Sequence, residues 1–129
     1  LYGLPLRGHA FMLWYRQDVL EEAGLEVPTT WQGVAEAARV IQEQTDMEGV
    51  SLYYNVGTGQ NLFAWLSMLW GAGGDVFDAE YRPIFNNEVG LEATELYASF
   101  VRDGLTAPDA VARTEQEGWQ AMAQGRAAM

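Results

Sequence analysis

The residues best placed to do chemistry lie in one short stretch, Tyr54-Asn55-Val56-Gly57-Thr58-Gly59-Gln60-Asn61. It sets flexible glycines beside a phenol, a hydroxyl and amides, just ahead of an apolar helical pattern. The first N–H groups of a helix have no partner within it, so a turn there can donate to a hydroxyl or a carboxylate. Gln60 and Asn61 each carry both a donor and an acceptor. Two further stretches place polar or aromatic groups next to flexible chain, Arg7-Gly8-His9 and the turn 70–75, which begins at Trp70. Plain structural roles stand beside each of these. Gln60 and Asn61 can cap a helix, His9 can be a satisfied structural histidine, and Trp65 shares an apolar face with Leu62, Leu66 and Leu69. Trp14, Trp31 and Trp119 read as packing residues, and Arg7 as a surface or hinge charge.

Covalent and metal chemistry find little to work with. There is no cysteine, so no disulfide and no thiolate site, and His9 is the single histidine. A zinc site needs several such ligands, and any Ser-His-acid set would have to use His9. No cofactor is implied. Glycoside hydrolysis needs two carboxylates facing each other across a bond, whereas Asp18, Glu21, Glu22 and Glu117 fall in predicted caps and solvated helix faces. The net charge of −11, with seven arginines and no lysine, repels a nucleic-acid backbone and an anionic membrane face. The acids are scattered and read as a solvated surface. No apolar run approaches the ~20 residues of a spanning helix. The chain starts at Leu1 without a leader, which a processed or truncated N-terminus explains.

The elements that must position these groups are legible from patterning. At 129 residues and 49% hydrophobic content, the chain is one domain with enough apolar side chains for a core. Residues 9–15 are nearly all apolar, as in a strand covered on both faces. Asp18 with Glu21 suits a capping box for a short helix that Gly24 ends. Thr29, with Gln32 as reciprocal partner, is expected to cap the next helix, whose face is Trp31, Val34, Ala35, Ala38 and Ile41. Residues 50–54 read as a strand. A helix over 60–71 stops at Gly71-Ala72-Gly73-Gly74, and 75–85 reads as a hairpin or ribbon around Asp78-Ala79-Glu80. Asn86 or Asn87 caps a long helix that Gly104 ends. Thr114 with Glu117 is a capping box for a last helix through Gln124, and residues 127–129 begin a strand. Short apolar strands among dominant helices make the fold α/β, since such strands need cover on both faces.

Five segments recur in a recognisable order. They are Tyr2-Gly3-Leu4-Pro5; Tyr15-Arg16 followed by Asp18-Val19-Leu20 and Ala23-Gly24-Leu25; Pro28-Thr29-Thr30-Trp31; Gly73-Gly74; and Gly125-Arg126-Ala127-Ala128-Met129. Over essentially the whole chain they resemble the second lobe of bacterial extracellular solute-binding proteins of sugar ABC transporters, the maltose-binding-protein-like family. Gln32-Gly33 stands where the family has an acidic pair, and Met122 where it has a Phe. The resemblance implies a helix-rich α/β lobe of a class II-like periplasmic binding protein, with a few short strands covered by helices. Residues 1–129 would form a single, partial second lobe, with the first lobe as a missing partner and a Gly-Pro-Trp segment beyond Met129.

The implied function is capture of a sugar or oligosaccharide in an interlobe cleft and its delivery to ABC permease subunits, without catalysis. The implied location is periplasmic or extracellular, with membrane anchoring through a preceding segment as one option. A sugar's hydroxyl rim needs fixed donors and acceptors, and its C–H face stacks on Trp or Tyr. Ligands of α/β sheets sit at the carboxyl ends of strands. That selects His9, Tyr54, Thr58, Gln60, Asn61, Trp65 and Trp70 as candidate ligand contacts. The alternatives are a carbohydrate-active hydrolase and a non-transport carbohydrate-binding module. An open sheet edge in such a fragment invites pairing between copies, so a homodimer is also expected.

Overall fold

The computed structural model describes residues 3, 4, 6, 8 and 10–129, and all of Thr58 but its side chain. Five α-helices follow one another: α1 (Gln17–Glu22), α2 (Trp31–Gln44), α3 (Leu62–Gly71), α4 (Glu88–Arg102) and α5 (Glu115–Ala123). Short 3-10 turns occupy Val56–Thr58 and Pro108–Val111. The apolar stripe of α2 buries Val34, Ala35, Ala38 and Ile41, as its spacing predicts, and adds Ala37. It packs with Leu20, Val50, Leu52, Leu69, Phe100, Leu105 and Ala128 in one core. Burying a side chain of the size of Phe100 or Ile41 stabilises by about 1.5–3 kcal/mol. Trp31 joins the core edge-on to Phe100, with ring centroids 6.1 Å apart.

The caps follow the expectations in part. Asn87 accepts from the Gly90 N–H and starts α4, and Thr114 and Glu117 form the reciprocal box of α5. Two expectations are corrected. The cap of α2 is Thr30, not Thr29: its Oγ1 accepts from the Gly33 N–H at 3.0 Å. Gly33 suits that position, because an added Cβ would stand only 3.2 Å from the same Oγ1. In α1 the N-cap is Arg16 and no side chain caps it. Asp18 lies two residues past the cap position, inside the first turn, and pairs with the Arg16 guanidinium instead, which holds its carboxyl down at about 2. Gly24, at φ +70°, lets the Leu25 N–H reach back to the Leu20 carbonyl at 2.8 Å and close the helix.

The strands are the larger correction. Among the described residues only isolated bridges form, Glu48 with Ala127 in parallel and Phe77 with Pro83 antiparallel. Residues 126–129 run between two neighbours: the Arg16 N–H donates to the Ala128 carbonyl, and Ala128 and Arg126 exchange bonds with Glu48. Residues 50–54 are extended and largely buried but do not join a ladder. Their N–H groups go to the Leu105 and Met129 carbonyls, the Thr106 hydroxyl and the Ala110 carbonyl. Residues 10–15 are not a covered strand. Trp14, expected to pack, is 71% exposed, because no described segment pairs along this run before Arg16. The ribbon after α3 is as expected, with Asp78 and Arg82 joined across its tip.

Candidate functional site

The loop after residue 54 is built by its own amides. Asn55 Oδ1 accepts from the Gly57 N–H at 2.8 Å, and Asn55 Nδ2 donates to the Ala112 carbonyl at 2.9 Å. The Asn55 N–H donates to the Arg113 carbonyl at 3.2 Å. The loop is thereby bonded to the segment that enters α5. That segment is fixed from beneath by a buried ionic cluster. Arg113 Nη1 lies 2.8 and 2.9 Å from the two carboxylate oxygens of Glu48 and 2.9 Å from Ser51 Oγ. Glu48 Oε1 also accepts from the Thr106 hydroxyl and the Ala107 N–H, both at 2.8 Å. Only 3% of the Arg113 side chain and 8% of that of Glu48 are exposed, so the pair belongs to the frame and not to the surface.

Helix α5 docks through Gly118, where an added Cβ would come within 3.1 Å of the Tyr53 ring. The next residue, Trp119, turns outward and is 61% exposed. Its indole forms one side of an open hollow of about 450 Å³ lined by Asn55, Gln60, Thr114, Glu115, Gln116 and Trp119. Amides, a hydroxyl and the Glu115 carboxylate line it with the aromatic ring, and among the described lining residues there is no cation. Burial, and then the negative charge of Glu115, push the neighbouring Tyr53 phenol up to about 12.

The candidate contacts are distributed unevenly over this geometry. Gln60 lines the hollow. Thr58 belongs to the 3-10 turn that leads to it, with its side chain outside the described part. Asn61 begins α3 but its side chain makes no capping bond, and its carbonyl accepts from the Tyr97 hydroxyl. Tyr54 spends its hydroxyl on the Tyr97 carbonyl at 2.8 Å. The Leu62 and Phe63 N–H groups, which the start of a helix leaves spare, are taken by the Gly59 and Gln60 carbonyls. Trp65 packs inward: its Nε1 donates to Thr94 Oγ1 at 3.0 Å and its ring meets Phe85 edge-on. Trp70 is exposed, with Nε1 3.4 Å from Asp75 Oδ1. It lies at the far end of α3, whose ten residues put about 15 Å between it and Gln60. His9 and Arg7 lie outside the described residues.

Trp119, expected from the sequence to pack, instead lines the hollow. The signal was the helical repeat: Gly118 and Ala121 are the buried positions of α5. Trp119 is off that stripe and shares a face with Glu115, four residues earlier.

From residue 2 to residue 129 the chain matches the family described as bacterial extracellular solute-binding protein. It belongs to that family. The chain is 30% identical over 105 residues to the mannitol-binding protein of Pseudomonas aeruginosa, covering 79% of the chain and 24% of the relative. Among solved structures it is similar to a sugar transporter from Arthrobacter chlorophenolicus with bound laminaribiose. That match has a TM-score of 0.77 at 27% identity and covers 89% of the chain and 29% of the other. It is also similar to an ABC transporter solute-binding protein from Agrobacterium vitis with bound D-mannitol, with a TM-score of 0.76 at 25% identity, covering 88% and 28%. The chain thus spans less than a third of the length of these relatives. The helix-rich fold is that of their matching part, and the family consists of extracellular binding proteins.

Proposed function

We propose that this chain is part of the second lobe of a two-lobed receptor that captures a neutral sugar or polyol between its lobes and passes it to an ABC permease outside the cytoplasmic membrane. The observation that carries this reading is the hollow that Trp119 lines together with Asn55, Gln60, Thr114, Glu115 and Gln116. An aromatic ring beside amides, a hydroxyl and one carboxylate matches a sugar, with its apolar C–H face and hydroxyl rim. The absence of a cation among the described lining residues favours a neutral solute over a phosphorylated one. The mannitol and laminaribiose named for the relatives agree in type. Closure of the two lobes would exclude water and present the closed form to the permease.

No catalysis is part of this reading. Two of the chain's acids are held by their neighbours, Glu117 by the Thr114 N–H and hydroxyl and Glu48 by Arg113. In the whole protein, calorimetric titration with D-mannitol and laminaribiose should show saturable binding with no product formed. Trp119→Ala should weaken that binding by about tenfold, which corresponds to the ~1.4 kcal/mol attributable to a stacked aromatic. Glycoside turnover would replace this reading by the hydrolase one, and full affinity in Trp119→Ala would remove the hollow from the site.

A further inference from the structure

The candidate loop 55–61 contains two glycines, Gly57 and Gly59, the latter at φ +73°, which leave its middle flexible, while Asn55 ties its start to Ala112 and Arg113. Both of its ends are also tied to a single residue on α4. At the entry, the Tyr54 hydroxyl donates to the Tyr97 carbonyl at 2.8 Å across 43 positions of sequence. The two rings stack there with centroids 4.5 Å apart and planes 29° from parallel. At the exit, the Tyr97 hydroxyl donates to the Asn61 carbonyl at 2.9 Å across 36 positions.

We propose that Tyr97 is the positioning residue of the binding loop, a clamp that holds both ends of residues 55–61 in their ligand-ready spacing. Packing alone does not call for this arrangement. Phenylalanine would fill the same half-buried space at either position and would leave no phenol to satisfy. Instead one tyrosine offers its carbonyl to the residue before the loop and its hydroxyl to the residue that closes it. Both phenols are pushed up by burial, so the hydroxyls stay protonated and able to donate across the neutral range. A loop ordered beforehand loses less freedom when a solute arrives, and that difference appears as affinity. The consequence for affinity rests on the proposed sugar-binding reading, whereas the clamp itself does not.

The test uses Tyr97→Phe and Tyr54→Phe in the whole protein, since each removes one hydroxyl and keeps the stacked rings. Amide hydrogen exchange is the first readout. The loss of one neutral hydrogen bond corresponds to roughly fivefold in an opening equilibrium. Exchange over 55–62 should rise by about that factor, while α2 and the core-facing part of α4 stay unchanged. Affinity for D-mannitol or laminaribiose should fall by a similar factor at an almost unchanged Tm. Unchanged exchange in the loop, or an equal rise throughout the core, overturns the proposal, the second because it marks a general structural role. If the loop loosens as expected while the unsubstituted protein binds neither solute, the clamp stands and the sugar reading fails.

Discussion

Two runs of similar composition, 10–15 and 50–54, end up in opposite situations. Both are apolar and aromatic; the first ends just before Arg16, whose N–H reaches the Ala128 carbonyl, and the second reaches the Met129 carbonyl through Ser51. In the second, Val50, Leu52 and Tyr53 are buried and its N–H groups find acceptors on the 105–113 and 126–129 segments. In the first, Phe11, Met12, Trp14 and Tyr15 are all exposed. The difference lies in what covers them. Residues 50–54 have α5 against one side, docked at Gly118, and the 105–113 segment on the other, anchored by the Glu48–Arg113 pair. In residues 10–15, among the described residues, only Leu13 packs against the core and only the Phe11 ring meets another, that of Trp31 at 6.3 Å, while Met12 and Trp14 stay open. An apolar run is an offer of burial, and a second element has to accept it before a core forms.

The sharpest way to break this contrast is at the anchor. Glu48→Ala would leave Arg113 buried with only Asp109 and Ser51 as side-chain partners. Removing one member of a buried pair is strongly destabilising, so chemical denaturation should show a loss of about 3 kcal/mol. A loss below about 1 kcal/mol would class the pair with exposed ones such as Arg82–Asp78 and would leave the covered segment without its anchor.

A second, intermediate effect should appear at alkaline pH. Burial raises the Tyr53 and Tyr97 phenols from 10.0 to about 12, so the fold prefers their neutral forms. Their contribution is complete below about pH 10, where the unfolded chain is also protonated. It is lost as pH rises through about 12, because the unfolded state releases these protons first. Denaturation midpoints should fall over that window together with the appearance of phenolate absorbance. Phenolate formation by both near pH 10 in an intact fold would show that the covered segment is wetter than its geometry indicates.

The smallest effect belongs to the open segment. Trp14→Ser should change the stability of the isolated chain by no more than about 0.5 kcal/mol, as for surface substitutions generally. A loss of several kcal/mol in the same denaturation experiment would mean that Trp14 is packed, and the contrast between the two runs would disappear.

Much of the local structure was legible in advance, because it depends on neighbours in sequence. The α2 stripe, the Asn87 cap, the Thr114–Glu117 box and the glycine stops at Gly24 and Gly104 all follow from residues three or four apart. The Thr30 cap was missed by one position, since Thr29 and Thr30 are chemically equivalent and only the Gly33 approach separates them. The candidate site was legible as a loop but not as a hollow. Gln60 could be named from its place before α3, but Trp119 is some sixty positions away in the chain. Its role depends on how α5 docks against Tyr53. Trp65 and Tyr54 looked available for a ligand because sequence does not show that Thr94 and Tyr97 already hold their polar atoms.

The sequence by itself determined the helices, the cap of α5, the α/β character and the family, since these are written in short-range spacing and in the order of segments. Only the tertiary structure decided which apolar run is covered, which carboxylate is buried against Arg113, and which aromatic ring faces the amides of the loop. Those outcomes depend on contacts between residues forty to seventy positions apart. Such contacts are won by whichever segments can bury surface and satisfy their polar groups together, and local pattern carries no record of that competition.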